Sequence, residues 1–259
     1  MDEETSSGSI AYLIFDKANP AIPLDRVNAY LKKEWPNCPL VQEPSEEDGV
    51  TTFRFGMAKG AALAPMGGPI PWSELEGLSN AAWWWDGAAD AVRGHKDHVL
   101  LTVLHDEDDD LVKRNLDVTA LLAGLAAASG AVAVISGGGR ILHSASNFCA
   151  LAEAVREEKP QIPLTLWIDF QIFREEDGKH SFFAWGLEDF GLPNMEVQNS
   201  TTDADEVFQF LQSVVLYVLG ESLVLNDGET IGFSEEHKVS ISYGPSLMEE
   251  DKQVAILKM

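Results

Sequence analysis

Ile10-Ala11-Tyr12-Leu13-Ile14-Phe15 is a run of β-branched, aromatic and aliphatic residues that reads as a strand. After a proline-containing loop, Leu24, Val27, Tyr30 and Leu31 fall at helical spacing, and Pro36 ends the run. Residues 51–57 set Thr52 against Phe53 and Phe55 in alternation, and residues 60–66 follow a tight turn, which together read as a hairpin. The stretch through Glu46-Glu47-Asp48-Gly49 before it reads as an acidic loop. Ser73-Glu74-Leu75-Glu76 has the form of a capping box, so a helix is expected to start after Pro71-Trp72. Residues 81–93 continue as helix, Gly94 is a natural stop, and residues 99–104 form another apolar strand. The order strand, helix, strand, strand, helix, strand is the split βαβ pattern of a ferredoxin-like half.

The second half repeats the alternation loosely. Residues 118–135 carry no charge and are long enough to cross a bilayer, but they are dominated by Ala and Gly and broken at Ser129-Gly130. They read as the end of a helix over 116–128, a turn, and a buried strand over 131–135. Gly137-Gly138-Gly139 then turns the chain into a helix over 146–157. Residues 163–173 alternate, with Leu164, Leu166, Ile168, Phe170 and Ile172 on one face and Trp167 and Asp169 on the other, as in a half-buried strand. Residues 181–187 are expected to pair with it. Asp203 opens a helix whose Val207, Phe208, Leu211, Val214, Val215 and Val218 face a core, and residues 239–243 form a last strand before an acidic tail. The expectation is an α+β protein of two ferredoxin-like (split βαβ) halves, 1–105 and 106–259, packed as one globular unit.

With 259 residues, 45% of them hydrophobic and 9% aromatic, the chain can bury a sizeable core. Its 42 acids against 18 bases give a net charge of −24, a field that repels phosphate backbones and anionic lipid surfaces. Direct nucleic-acid and membrane-surface binding are therefore disfavoured. The same field attracts a basic partner, or serves only solubility. Cys38 and Cys149 are the two cysteines and stand in no CxxC spacing, so neither zinc nor a disulfide framework is expected and the compartment reads as reducing. Met1-Asp2-Glu3-Glu4-Thr5 is acidic where a secretory signal is basic, which points to a cytoplasmic protein.

The residues that could carry chemistry are sparse. His95, His98 and His105 cluster in sequence, but His98 and His105 point to opposite faces of an extended strand. Asp106, Asp108 and Asp110 resemble the opening of a calcium loop that then fails, with Leu111 where glycine is needed and Asp117 where glutamate is needed. No metal and no cofactor are expected. The glycine run before Arg140 lacks the Lys-Ser/Thr of a phosphate-binding loop and reads as a tight turn. There is no Gly-x-Ser-x-Gly elbow, and Cys149 falls in an apolar helical run where an inert thiol is expected. Asp169 and Glu188, with His98, are the alternative for a carboxylate/histidine pocket. The densest unusual feature is Trp72 with Trp83-Trp84-Trp85. On a continuous helix three successive indoles cover most of the circumference, so at least one is expected to reach a surface or groove.

At Pro69-Ile70-Pro71-Trp72-Ser73-Glu74-Leu75-Glu76-Gly77, Ala82-Trp83-Trp84-Trp85, Pro163-Leu164-Thr165-Leu166-Trp167-Ile168-Asp169 and Gly186-Leu187-Glu188-Asp189-Phe190-Gly191, the chain resembles an uncharacterised bacterial family known as a domain of unknown function, over roughly 55–197. That resemblance supplies no catalytic residue. In character the chain is also similar to immunity proteins that protect bacteria from type VI secreted nuclease toxins. What this implies is a non-enzymatic protein that occludes a basic protein partner, with Trp72, one of Trp83, Trp84 and Trp85, and the acids Asp106, Asp108, Asp109 and Asp110 as contacts. The competing readings are an enzyme or small-ligand binder built on Asp169, Glu188 and His98, and an inhibitor that imitates nucleic-acid charge.

Overall fold

The apolar run at residues 10–15 lies in β1 (Gly8–Phe15), where Leu13, Ile14 and Phe15 are fully buried because the strand sits inside a sheet rather than at its margin. The computed structural model describes residues 8–105, 110–157, 161–175, 178–234 and 237–259. These form two compact units, Met1–Trp167 and Ile168–Met259.

In the first unit β1 pairs with β5 (Asp97–Leu104) on one side and β6 (Ala133–Ser136) on the other. The full order runs β2 (Val41–Glu47), β3 (Val50–Phe55), β4 (Gly60–Pro65), β5, β1, β6 and β7 (Ile141–Ser144), seven strands paired antiparallel throughout. A split βαβ half would keep its parallel strands apart and set the first strand between the third and the fourth, whereas β1 lies between β5 and β6. Here β2 to β5 are a consecutive meander instead, so the ferredoxin-like order expected for this half is not the one observed. The difference starts at β2, which reads as an acidic loop because only Val41 of its seven residues is buried. What makes it a strand is a side-chain clamp: the Asn28 amide donates to Val41 O at 2.9 Å and accepts from Val41 N at 2.8 Å. β6 and β7 lie beyond residue 105 and belong to this same sheet.

The helices of the unit are α1 (Leu24–Glu34), α2 (Trp72–Ala81), α3 (Ala88–Arg93), α4 (Leu111–Ser129), α5 (Ala145–Ala154) and the single turn α6 (Leu164–Trp167). Asp110 caps α4 by accepting from Lys113 N at 3.0 Å, and left-handed Gly130 closes it. The uncharged part of α4 is buried because α1 and α5 pack against it. Gly124 permits that approach, since a Cβ there would stand 3.3 Å from both Tyr30 and Val27. No helix among the described residues is long and apolar enough to cross a membrane.

The second unit holds a six-stranded sheet in the order β11 (Thr230–Ser234), β12 (His237–Pro245), β13 (Gln253–Lys258), β10 (Met195–Ser200), β9 (His180–Trp185) and β8 (Asp169–Arg174). β10 and β13 run parallel and the other pairs antiparallel. This order is not ferredoxin-like either. The parallel pair forms because the segment after Met248 returns as β13, burying Val254, Ala255 and Leu257 beside β10. One helix, α7 (Ala204–Glu221), buries Val207, Leu211, Val214, Val215 and Val218 at the expected spacing, and Asp203 caps it by accepting from the amides of Asp205 and Glu206. Residues 163–173 do not form one strand. Pro163 starts the turn α6, Leu166 and Trp167 are buried in succession, and Trp167 Nε1 donates to Thr119 Oγ1 at 2.8 Å, so extended structure begins only at Asp169.

Candidate recognition surface

The aromatic block owes its shape to an interrupted helix. α2 begins after Pro71 without any side-chain cap, so the Ser73/Glu76 capping box does not form and Trp72 is the first helical residue. The helix closes when Ala82 N donates to Leu78 O, and it resumes as α3 only after left-handed Gly87. Trp83, Trp84 and Trp85 therefore lie in the turn between α2 and α3, not around a helix circumference as expected.

The turn sorts the indoles by environment. Trp84 Nε1 donates to Leu142 O at 3.1 Å, and its ring stacks on His143 with centroids 5.1 Å apart and planes 26° apart. His143, on β7, is fully buried and donates from Nε2 to Thr165 O at 3.0 Å. Burial pushes its pKa down to about 4, because a charge there would lose its hydration. The stack is thus neutral near pH 7. Trp72 and Trp85 pack half-buried against a cluster that includes Ile70, Leu75, Val92, Ile135 and Leu142. The Arg93 guanidinium lies 3.8 Å above the Trp72 ring, a cation–π contact. Trp83 alone of the four is mostly in solvent, 59% exposed, and meets Trp84 edge-on with centroids 5.4 Å apart. Between residues 72 and 93 the exposed charges are Glu74, Glu76, Asp86 and Asp90 against Arg93, so the segment that carries the ring is net negative.

Of the other expected contacts, Asp106, Asp108 and Asp109 lie outside the described residues. Asp110 is the cap of α4 and borders a cleft of about 450 Å³ with Phe55, His105, Lys113, Arg114 and Asp117. That cleft mixes both signs of charge, and Lys113 pairs with Asp117 at 2.5 Å inside it.

The residues considered for a pocket have separate partners. Asp169 is buried at the start of β8 and accepts from Gln171 Nε2 at 2.6 Å, while half-exposed Glu188 pairs with Lys252 Nζ at 2.9 Å. His98 belongs to the first unit, where its Nδ1 donates to Gly68 O at 2.8 Å. Both ring nitrogens of His95 are occupied, Nε2 by Ile70 N–H at 2.7 Å and Nδ1 by Val92 O at 2.7 Å. Among the described residues no group of three or more His, Cys, Asp or Glu is placed to hold a metal ion. The glycine run joins two strands, β6 and β7, with left-handed φ at Gly137, Gly138 and Gly139. Its turn role follows from that φ. Cys149 donates to Ala123 O at 3.5 Å and burial pushes its thiol up to about 11, so it stays protonated.

Two carboxylates escaped the sequence reading. Asp97 is 1% exposed and accepts from the backbone amides of Asn19 (2.9 Å), Gly68 (3.1 Å) and His98 (2.8 Å), tying two loops to the end of β5. Glu196 is fully buried in β10 and accepts from Gln198 Nε2 (2.7 Å), Ser246 Oγ (2.5 Å) and Leu247 N (3.2 Å), bracing the β12–β13 connection. The signal for each is a lone acid inside an apolar strand, Asp97-His98-Val99-Leu100 and Met195-Glu196-Val197.

No curated protein and no solved structure matches the chain. Of the four blocks that carry the family resemblance, the last, Gly186-Leu187-Glu188-Asp189-Phe190-Gly191, falls within a matched family region: a DUF4261 domain, a domain of unknown function, covers residues 183–257, from β9 to β13.

Proposed function

We propose that this chain is a non-enzymatic, acidic protein-binding protein that docks a basic protein partner on the Trp83 turn. Trp83 carries the reading: a 59% exposed indole seated edge-on against a neighbour that is itself fixed by a hydrogen bond and a stack on a buried strand. Exposed tryptophan is costly in water and dominates binding energy once covered. Because Trp84 is immobilised, little side-chain freedom remains for Trp83 to lose on binding. The exposed Glu74, Glu76, Asp86 and Asp90 of the same segment supply a negative field that steers a positively charged surface. In its most concrete form the partner is a basic nuclease toxin of a bacterial type VI secretion system, and the protein neutralises it in the cytoplasm by covering its substrate-binding face. The structural hydrogen bonds that engage Asp169, Glu188 and His98 favour this reading over a carboxylate/histidine pocket.

The test is affinity for the product of the neighbouring gene, which the reading expects to be basic, with the Trp83→Ala chain as comparison. Truncation at a hot spot costs about 2 kcal/mol or more, roughly thirtyfold in Kd, and binding should weaken steeply with added salt. Equal affinity for both chains at low and high salt alike removes the reading.

A further inference from the structure

Strands at the ends of a sheet present backbone groups that have no strand beside them, and soluble proteins blunt such edges with charge, proline or short length. Among the described residues three of the four sheet ends follow that rule. β2 contains Pro44 with Glu43, Glu46 and Glu47, β7 has only four residues, and β8 begins at Asp169 and ends at Arg174. β11 does not follow it: Thr230-Ile231-Gly232-Phe233-Ser234 contains no charge and no proline. It pairs with β12 in regular register from Thr230 to Gly232 and shifts register between Gly232 and Ser234, so the regular edge is residues 230–232.

Beside this edge lies a groove of about 400 Å³ between β11 and α7, lined by Val214, Tyr217, Leu223, Leu225, Ile231 and Glu229. Tyr217 is 49% exposed and Leu223 38%, so the groove opens to solvent with apolar walls. Among its described lining residues the carboxylate is Glu229, which accepts from Asn226 N at 2.8 Å and Asn226 Nδ2 at 3.0 Å, bonds that hold its pKa below the usual range and keep it ionised. Exposed Glu221 and Asp227 stand close to these residues in the chain. The unit as a whole has 18 acids against 5 bases, a net charge of −13.

We propose that β11 and its groove take up an extended segment of a protein partner in which apolar and basic residues alternate, added as a seventh strand to the six-stranded sheet. The edge amides and carbonyls of β11 fix the segment's register, one set of alternate side chains enters the groove, and the other set, lysine or arginine, is held by the negative field. A second copy of this chain is a poor occupant because it brings the same charge. This site is separate from the Trp83 turn and does not depend on it.

The test uses the full chain, labelled with nitrogen-15 and titrated with three synthetic peptides: alternating Lys-Val, alternating Glu-Val and alternating Lys-Gly. The Lys-Val peptide should shift the amides of residues 230–232 saturably, and the other two should bind at least tenfold more weakly. Tyr217→Ser, an exposed change, should weaken the Lys-Val peptide at least fivefold, and Gly232→Lys, which places a repelling charge on the edge, should abolish its binding. The proposal is overturned by no shift at residues 230–232, by equal binding of the Lys-Gly peptide, by indifference to both substitutions, or by sedimentation showing that the free chain already pairs with itself through β11.

Discussion

The two units solve the edge problem differently. Met1–Trp167 carries 24 acids and 13 bases, net −11 over 167 residues, whereas Ile168–Met259 reaches −13 in 92 residues, close to twice the density. The first unit blunts both ends of its sheet and exposes an indole on a turn, at Trp83. The second leaves β11 uncharged inside a strongly negative field. Under the two proposals charge would do two jobs: near Trp83 it would steer a basic partner, and around β11 it would turn away acidic chains while admitting basic ones.

The sharpest way to break this comparison is at two nearly inaccessible carboxylates, Asp97 in the first unit and Glu196 in the second. Asp97→Ala strands three backbone amides in the first unit, and Glu196→Ala removes the brace of the β12–β13 connection in the second. Each should cost about 3 kcal/mol or more, since each orphaned buried donor costs about 1–3 kcal/mol. Urea unfolding measures the loss, and hydrogen exchange should place it in β5 for the first variant and β12–β13 for the second.

Protonation of His143 probes the Trp84 anchor without touching the second sheet. Its folded pKa, about 4, lies below the ordinary value of 6.5, so between those two pH values the unfolded chain binds the proton and the folded chain does not. Stability therefore falls as pH drops from about 6.5 to about 4 and levels off below, by on the order of 3 kcal/mol in all. His143→Phe keeps a ring against Trp84 and should flatten that part of the pH profile. A profile unchanged by the substitution would mean that folding leaves the pKa of His143 at its ordinary value.

Arg93→Ala removes the contact over Trp72 and should cost roughly 0.5–1 kcal/mol in thermal unfolding, weakened little by salt if the ring face rather than the acids holds the guanidinium. Trp83→Ala sits at the bottom of the scale. Its ring is mostly in water, so stability should change by no more than about 0.5 kcal/mol while partner affinity falls, a separation that a purely structural indole would not give.

Local pattern made the central strands and long helices legible. β1, β5, α4 and α7 all announce themselves by apolar periodicity, and Asp203 and Gly130 mark helix ends by their own chemistry. The misses share one cause. β2 is held by Asn28, β13 by burial beside β10, and the break at residues 82–87 by a left-handed glycine and by packing of Trp84 on β7, all contacts between residues distant in sequence or set by three-dimensional fit. Among the candidate contacts, a Trp cluster with one exposed member was readable. Which indole it would be was not, because a continuous helix and a turn distribute the same three residues differently.

The amino-acid sequence by itself determined the strong negative charge, the sufficiency of the core, the mixed α and β content and the absence of known catalytic motifs, because those depend on residue type and local spacing. Tertiary structure alone decided that the sheets are a seven-stranded antiparallel one, in which β1, β6 and β7 extend the four-stranded meander β2 to β5, and a six-stranded mixed one, that Trp83 faces water while Trp84 is pinned to His143, and that β11 is an edge. Strand neighbours and exposure are fixed by which distant segments bury each other's backbone and side chains, and that competition is settled only when the whole chain has packed.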